Sequence, residues 1–193
     1  MLSAFLVLAV MVGLLSKLST RRHHRLVANN PRQEQLSPVP LTTASRVLGI
    51  GLGGFADGIV LHQVLQWHEM ISNKMPPVNL VAKSVNMFWD GVFHAFCFLL
   101  VLAGVVLLWK LLRRRDIDRS GNLLAGGLLL GWGMFNIVEG IIDHHLLKLH
   151  NVRELAANIP LWNYAFLGLS LFILAGGYLL VIKRSKSTVL ETT

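Results

Sequence analysis

The chain has 193 residues, of which 53% are hydrophobic and only 15% are charged, and its mean hydropathy is +0.56. Soluble domains carry about 25% charged residues, so this composition argues against a soluble globular protein. The net charge of +8 would suit a nucleic-acid-binding protein, but the basic residues lie in short segments between apolar runs. This distribution indicates a lipid bilayer as the partner, and no nucleic acid.

The first apolar run covers residues 1–16 and is followed by basic residues. As a helix at about 1.5 Å per residue it would reach roughly 24 Å, which is short for a span. It lacks the basic start of a signal peptide. We therefore expect an uncleaved N-terminal hydrophobic anchor, with an interfacial helix as the alternative. Residues 17–43 are expected to form a basic, proline-bearing cytoplasmic linker.

Four longer runs follow, each long enough to cross a bilayer as a helix of about 20 residues. They lie near residues 45–70, 84–109, 122–147 and 161–182. Lipid cannot satisfy the backbone of an open sheet, so helices are expected. The sequence predicts an all-α transmembrane bundle over residues 44–182, with four long spanning helices plus a short N-terminal hydrophobic helix. No internal repeat is evident, and residues 183–193 are expected to form a flexible cytoplasmic tail.

Basic residues alternate between the connections. Most Lys and Arg lie in residues 17–46, 110–119 and 183–186, whereas the connections 71–83 and 148–160 hold two each. By the positive-inside rule, the richer segments face the cytoplasm. The sequence thus predicts a multi-pass protein of the bacterial cytoplasmic (inner) membrane, with the N-terminus outside and the C-terminus inside.

Ionisable residues within the apolar runs are the main functional signal. A charged group at mid-bilayer costs about 2.5–3.5 kcal/mol on insertion scales, so such residues are rarely incidental. Their heights along the predicted helices would bring most of them together in the outer half of the bilayer. The candidate metal ligands are His62, Asp90, His94, Glu139, Asp143 and His144. Residues that would support or replace them are Asp57, His68, Asn86, Asn136, His145 and His150.

Imidazoles and carboxylates at one depth suit a transition metal such as copper, zinc or iron, in a redox or metal-handling or haem-handling protein. A carboxylate beside a ligand histidine would also fix its tautomer. Two alternatives stay open: proton- or ion-coupled transport through Asp57, and a structural subunit with only polar contacts between helices. For His145 and His150 we expect positions at the water interface. No nucleophile, base or substrate is identifiable, so whether the protein is an enzyme stays open.

Three stretches, residues 53–68, 90–96 and 131–150, resemble a bacterial family of small predicted membrane proteins known as domain of unknown function 2243. They include Gly-Gly-Phe-Ala-Asp-Gly-Ile-Val-Leu-His, Asp-Gly-Val-Phe-His and Asn-Ile-Val-Glu-Gly-Ile-Ile-Asp-His-His. The family pattern tends to have His where this chain has Glu69 and Asn151, and Asp where it has Asn163. The resemblance implies the helical membrane fold but no activity. It also implies membrane partners linked to respiratory oxidase assembly.

Cysteine labelling in intact cells tests the predicted orientation. In a variant that lacks Cys97, we expect single cysteines in residues 110–121 to react only after the membrane is permeabilised. Cysteines in residues 148–160 should react from outside, because the basic connections stay in the cytoplasm. The opposite pattern would place the polar residues in the cytoplasmic half of the bilayer.

Overall fold

The structure is a computed structural model that describes residues 2–29 and 36–190, and its elements there are all helices. The α-helices are α1 (Leu2–Asn29), α2 (Val39–Ala56), α3 (Leu80–Leu111), α4 (Gly121–Glu139) and α5 (Ile159–Leu190). Two π-helical segments, π1 (Asp57–Val64) and π2 (Gly140–Leu146), continue α2 and α4 without a break.

The prediction of four spanning helices within an all-α fold is confirmed. In the described part of the chain, the helices long and apolar enough to cross a membrane are Val39–Val64, Leu80–Leu111, Gly121–Leu146 and Ile159–Lys183. The N-terminal helix is also present, and it continues past the expected anchor to Asn29. α5 likewise continues through much of the expected tail. Residues 30–35 of the expected linker and residues 191–193 of the tail lie outside the described residues.

α2 and α4 form the centre of the bundle and run parallel to each other. Their apolar windows are 44% and 56% buried, against 17% and 11% for those of α3 and α5. α3 packs on α2, α5 packs on α4, and α1 contacts both central helices, where Leu8 and Val12 join the core. Only the central pair is therefore enclosed enough to carry many buried polar groups.

Glycines allow the close contact between α2 and α4. A Cβ atom on Gly49 would overlap the backbone of Leu128, and one on Gly131 would overlap the carbonyl group of Arg46. Small residues at such crossings let membrane helices approach at short range. Gly131 follows Gly49 by 82 residues, and Leu128 follows Arg46 by the same number. The two contacts are therefore equivalent, which is the first sign of an internal symmetry.

The bundle consists of two copies of one helical hairpin. The first hairpin is α2, π1 and α3, and the second is α4, π2 and α5. Gly104 packs against Leu48 in the first, and Gly177 packs against Leu130 in the second. Leu130 follows Leu48 by 82 residues, and Gly177 follows Gly104 by 73 residues, so equivalent contacts recur at a constant spacing within each helix pair.

The π-helical segments show the same repeat. The segment π1 begins with Asp57, and π2 comes directly after Glu139. A residue with a positive φ lies two positions beyond the end of each segment: Gln66 (50°) and Lys148 (49°). The expectation that the chain has no internal repeat is therefore wrong. The similarity was hidden because few residues are identical and because the loop in the second hairpin is shorter.

Replacing Gly131 tests the α2–α4 contact. We expect Gly131→Ala to lower the free energy of unfolding by about 1–3 kcal/mol, because the added methyl group collides with backbone that cannot move alone. Gly168→Ala is the matched control, since a Cβ at Gly168 meets nothing within 4 Å. Unfolding in mixed detergent measures both. Equal stability of the two variants would show that the close contact does not limit the packing.

Candidate functional site

Each π-helical segment directs one histidine into the space between the two hairpins. His62 lies in π1 and His144 in π2, with only 4% and 3% of their surfaces exposed. A π-helix has a wider turn than an α-helix and often occurs at functional sites. A glycine follows the acid in both segments, and a Cβ on Gly58 or Gly140 would lie within 3 Å of a side chain on the adjacent helix.

The loop after each π-helical segment supplies a second histidine, which is held by the other hairpin. Nδ1 of His68 lies 2.9 Å from the carbonyl oxygen of Val152, and Nδ1 of His150 lies 2.9 Å from that of Met70. A carbonyl oxygen only accepts, so Nδ1 carries the proton in both rings and Nε2 of a neutral ring is a bare acceptor. The two rings stack in parallel with centroids 4.4 Å apart.

His62 lies between two carboxylates. Its Nδ1 is 2.9 Å from Oδ1 of Asp90, and its Nε2 is 3.1 Å from Oδ2 of Asp57. Asp90 also accepts the backbone N–H of Met70, so it is fixed by the loop that carries His68. With Nδ1 donating to Asp90, Nε2 of His62 faces Asp57, so a proton or a cation must lie between that nitrogen and the carboxylate. A carboxylate behind a histidine in this way is typical of metal sites.

Glu139 plays the corresponding part in the second hairpin. Its Oε1 lies 3.5 Å from Nε2 of His144 and 3.3 Å from Nε2 of His150. Because Nδ1 of His150 already donates to a carbonyl group, its Nε2 faces Glu139 as an acceptor when the ring is neutral. A carboxylate and a bare nitrogen repel each other unless a proton or a metal cation lies between them.

Several polar atoms at this centre have no hydrogen-bond partner within the described part of the chain. They are both side-chain oxygens of Asp57, Oε2 of Glu139, and the Nε2 atoms of His62, His68 and His144. Buried polar atoms in proteins are nearly always satisfied, so a group of orphaned acceptors needs an explanation. Wherever they carry no proton, these atoms can give an electron pair to a cation, so either protons or a metal ion would satisfy them.

The two loop histidines differ in charge preference. Burial lowers the pKa of His68 well below its usual range, and the neighbouring His150 and His62 rings lower it further. Burial is the largest influence on His150 and opposes its charge, but the hydrogen bond to Glu139 and the negative charge of Glu139 together outweigh it and raise the pKa of His150. His68 is therefore a neutral ring whose Nε2 can give an electron pair to a metal. The contact between His150 and Glu139, in contrast, can hold a proton when no other cation is present.

Two groups of side chains bring potential ligand atoms within 4.8 Å of one another. The first is His62, His68 and His150, and the second is Glu139, His144 and His150. Of the six residues predicted as metal ligands, the structure thus brings His62, Glu139 and His144 to the cluster, and Asp90 contacts it behind His62.

His94 and Asp143 belong to neither of these groups. Nδ1 of His94 is 2.8 Å from the carbonyl oxygen of Asp90 on its own helix, and its ring packs against Phe55 with centroids 6.0 Å apart. Its Nε2 is directed at the backbone of Gly58. Asp143 is buried in π2.

The supporting residues named from the sequence have different roles. Asn86 accepts the N–H of Ile71 at 3.1 Å and donates to the carbonyl oxygen of Met75 at 2.8 Å, so it anchors the loop that carries His68. Asn136 is buried in α4. His145 is bound through Nδ1 to the carbonyl oxygen of Gly140 in its own π-helix, 2.7 Å away.

The expectation that His150 lies at the water interface is wrong, because its side chain is completely buried. The chain reverses direction at Lys148, where φ is positive, and the ring returns under the loop to contact Met70. A repeated spacing could have revealed this position. An acid, four residues, a histidine, five residues and a second histidine occur at Asp57 and again at Glu139.

Asn163 was not named as a site residue, although it occupies the position in the second hairpin that Asp90 has in the first. Its Oδ1 accepts the N–H of Val152 at 3.0 Å, as Asp90 accepts that of Met70 at 2.9 Å. Its Nδ2 donates to Oδ1 of Asn151. His144 therefore lacks the carboxylate that orients His62.

The fold and the cluster together define a multi-pass α-helical membrane protein with histidines and carboxylates buried at one end of its central helix pair. Residues 44–184 match the model of a family described as Predicted membrane protein (DUF2243), so the chain belongs to this family. The match covers both hairpins. No curated protein and no solved structure matches the chain. The function must therefore be inferred from the site itself.

Removing the Asn86 side chain tests how the loop of the first hairpin is held. We expect Asn86→Ala to cost about 1–3 kcal/mol, because the fully buried Asn86 side chain is lost and the N–H of Ile71 and the carbonyl oxygen of Met75 lose their partner. Hydrogen exchange should rise at residues 71–75. Ser84→Ala on the same helix is the control, since that exposed hydroxyl group bonds only to Leu80 of its own helix. Unchanged exchange in the Asn86 variant would contradict this role.

Proposed function

We propose that the protein binds a transition metal at the end of the bundle where the two hairpin loops meet. The proposed ligands are His62, His68, His144, His150, Asp57 and Glu139. The observation that carries the proposal is a set of buried contacts that each need a cation or a proton: imidazole nitrogens face carboxylate oxygens at 3.1–3.5 Å. A metal cation accepts electron pairs from both and removes their mutual repulsion.

The donor set limits which metals fit. Imidazole nitrogens with carboxylate oxygens suit zinc, copper(II) and iron(II), and the general affinity order favours copper. Asp90 acts behind His62, where it fixes the tautomer and raises the basicity of Nε2. The sulfur of Cys97 packs against Gly54, deeper in the bundle, so a thiolate is not part of the proposed ligand set.

The position of the cluster implies the side from which metal would enter. The cluster lies beside the two loops that follow π1 and π2, whereas the basic connection between α3 and α4 lies at the opposite end of the bundle. The positive-inside rule assigns that connection to the cytoplasm. We therefore propose that the site opens to the outer side of the membrane and receives its metal there.

Metal content of detergent-purified protein tests the proposal. After separate loading with copper, zinc or iron and removal of free metal, we expect the wild type to retain at least one equivalent of one of them. The double variant His62→Ala/His144→Ala should retain less than about a tenth, because each hairpin loses its central nitrogen ligand. His145→Ala is the matched control and should bind as the wild type does.

His94→Ala adds a second comparison. We expect it to keep its metal, because His94 belongs to neither group of converging ligand atoms and its Nε2 lies beside Gly58. Loss of metal in this variant, with the fold retained, would instead make His94 a ligand. A wild type that holds less than about a tenth of an equivalent of every metal offered would contradict the proposed function. Protons would then satisfy the cluster, as in a structural or proton-relay role.

A further inference from the structure

Both hairpins carry the same set of potential ligands in the same order. Each has an acid at the start of the π-helical region, a histidine five residues later and a second histidine six residues after that. The two sets are Asp57, His62 and His68, and Glu139, His144 and His150.

The geometry of the two sets agrees as well as their order. The acid lies 3.1 Å from the π-helical histidine in the first hairpin and 3.5 Å in the second. The rings of His62 and His68 are 4.4 Å apart, and those of His144 and His150 are 4.8 Å apart. Together with the reciprocal hydrogen bonds of His68 and His150 to the opposite hairpin, these distances indicate a pseudo-two-fold axis between the two hairpins.

The number of donors exceeds what one ion uses. A transition metal in a protein commonly takes four to six ligands, and two histidines with one carboxylate already form a recognised set with open positions. Here the second set converges within 4.8 Å, whereas in the first set His62 and His68 converge and Asp57 contacts His62. Nε2 of His150 lies near the ligands of both sets, but a nitrogen lone pair binds one ion, and the symmetry assigns it to Glu139, only 3.3 Å away.

We propose that the cluster is a dinuclear metal centre in which each hairpin contributes one carboxylate and two histidines to one ion. This inference rests on the proposed function, since it assumes that the cluster binds metal. Each hairpin also orients the other's ligand, because His68 and His150 donate to carbonyl groups across the pseudo-two-fold axis. Both ions would thus be held by two hairpins that are hydrogen-bonded to each other.

The two sites are not equivalent, and this predicts an order of filling. Asp90 accepts from Nδ1 of His62 at 2.9 Å, whereas Nδ1 of His144 has no hydrogen-bond partner in the described part of the chain. A carboxylate in this position commonly changes metal affinity by about 10–100-fold. The first hairpin should therefore fill first, and the second, which has Asn163 at the equivalent position, should fill later.

Metal stoichiometry of the full-length protein in detergent tests the dinuclear centre. We expect two equivalents of copper(II) or zinc in the wild type and one in each of His62→Ala and His144→Ala. The double variant should bind none, and His145→Ala should keep two. In copper-loaded wild type the two spins should couple, and each single variant should give the uncoupled signal of an isolated copper(II) ion. His62→Gln and His144→Gln serve if an alanine variant fails to fold.

The outcomes separate the two proposals. One equivalent in the wild type, lost completely in either single variant, would overturn the dinuclear centre and leave metal binding intact. Absence of metal from every form would overturn both. Asn163→Asp should strengthen the second binding step about 10-fold or more, since it restores the missing carboxylate. An unchanged second step in that variant would remove Asn163 as the cause of the asymmetry.

Discussion

The reciprocal hydrogen bonds of the two loop histidines are the interaction on which the site depends. His68 donates to Val152 and His150 donates to Met70, so neither hairpin can place its own histidine without the other. The same bonds place a proton on Nδ1 of both rings and turn both Nε2 atoms toward the cluster, where that of His150 meets Glu139. The hydrogen bonds that join the two hairpins are therefore the same bonds that set the protonation of the loop histidines.

The arrangement of the helices follows from the cost of buried polar groups. Ionisable side chains are expensive in a bilayer unless they face protein partners, and here His62 and His144, each with its neighbouring acid, lie on the two most enclosed helices. Glycines at Gly49 and Gly131 bring those helices close, which aligns π1 with π2 at equal height. The outer helices α3 and α5 then shield the cluster from lipid and supply Asp90 and Asn163.

Because the two hairpins are copies of each other, the cluster of histidines and carboxylates is nearly symmetric. The differences between the copies make its two halves unequal. Asp57 in the first hairpin corresponds to the longer Glu139 in the second, which reaches both His144 and His150. Asp90 corresponds to Asn163, so only the first hairpin has a carboxylate behind its π-helical histidine. In the proposed dinuclear centre, these differences would make the two sites unequal, so that ions are taken up in sequence.

The sequence by itself determined the four spans and the depth at which most polar residues meet, because hydropathy and helical rise depend only on local composition. It also named His62, Glu139 and His144. Only the tertiary structure decided that His150 is buried, that His94 packs apart from the cluster, and that Asn163 takes the place in the second hairpin that Asp90 has in the first. The physical reason is that a helical pattern fixes the height of a side chain along its helix and the face on which it lies. The π-helical turns and the residues with positive φ change the direction of the side chains near them, and contacts with the other hairpin hold those directions.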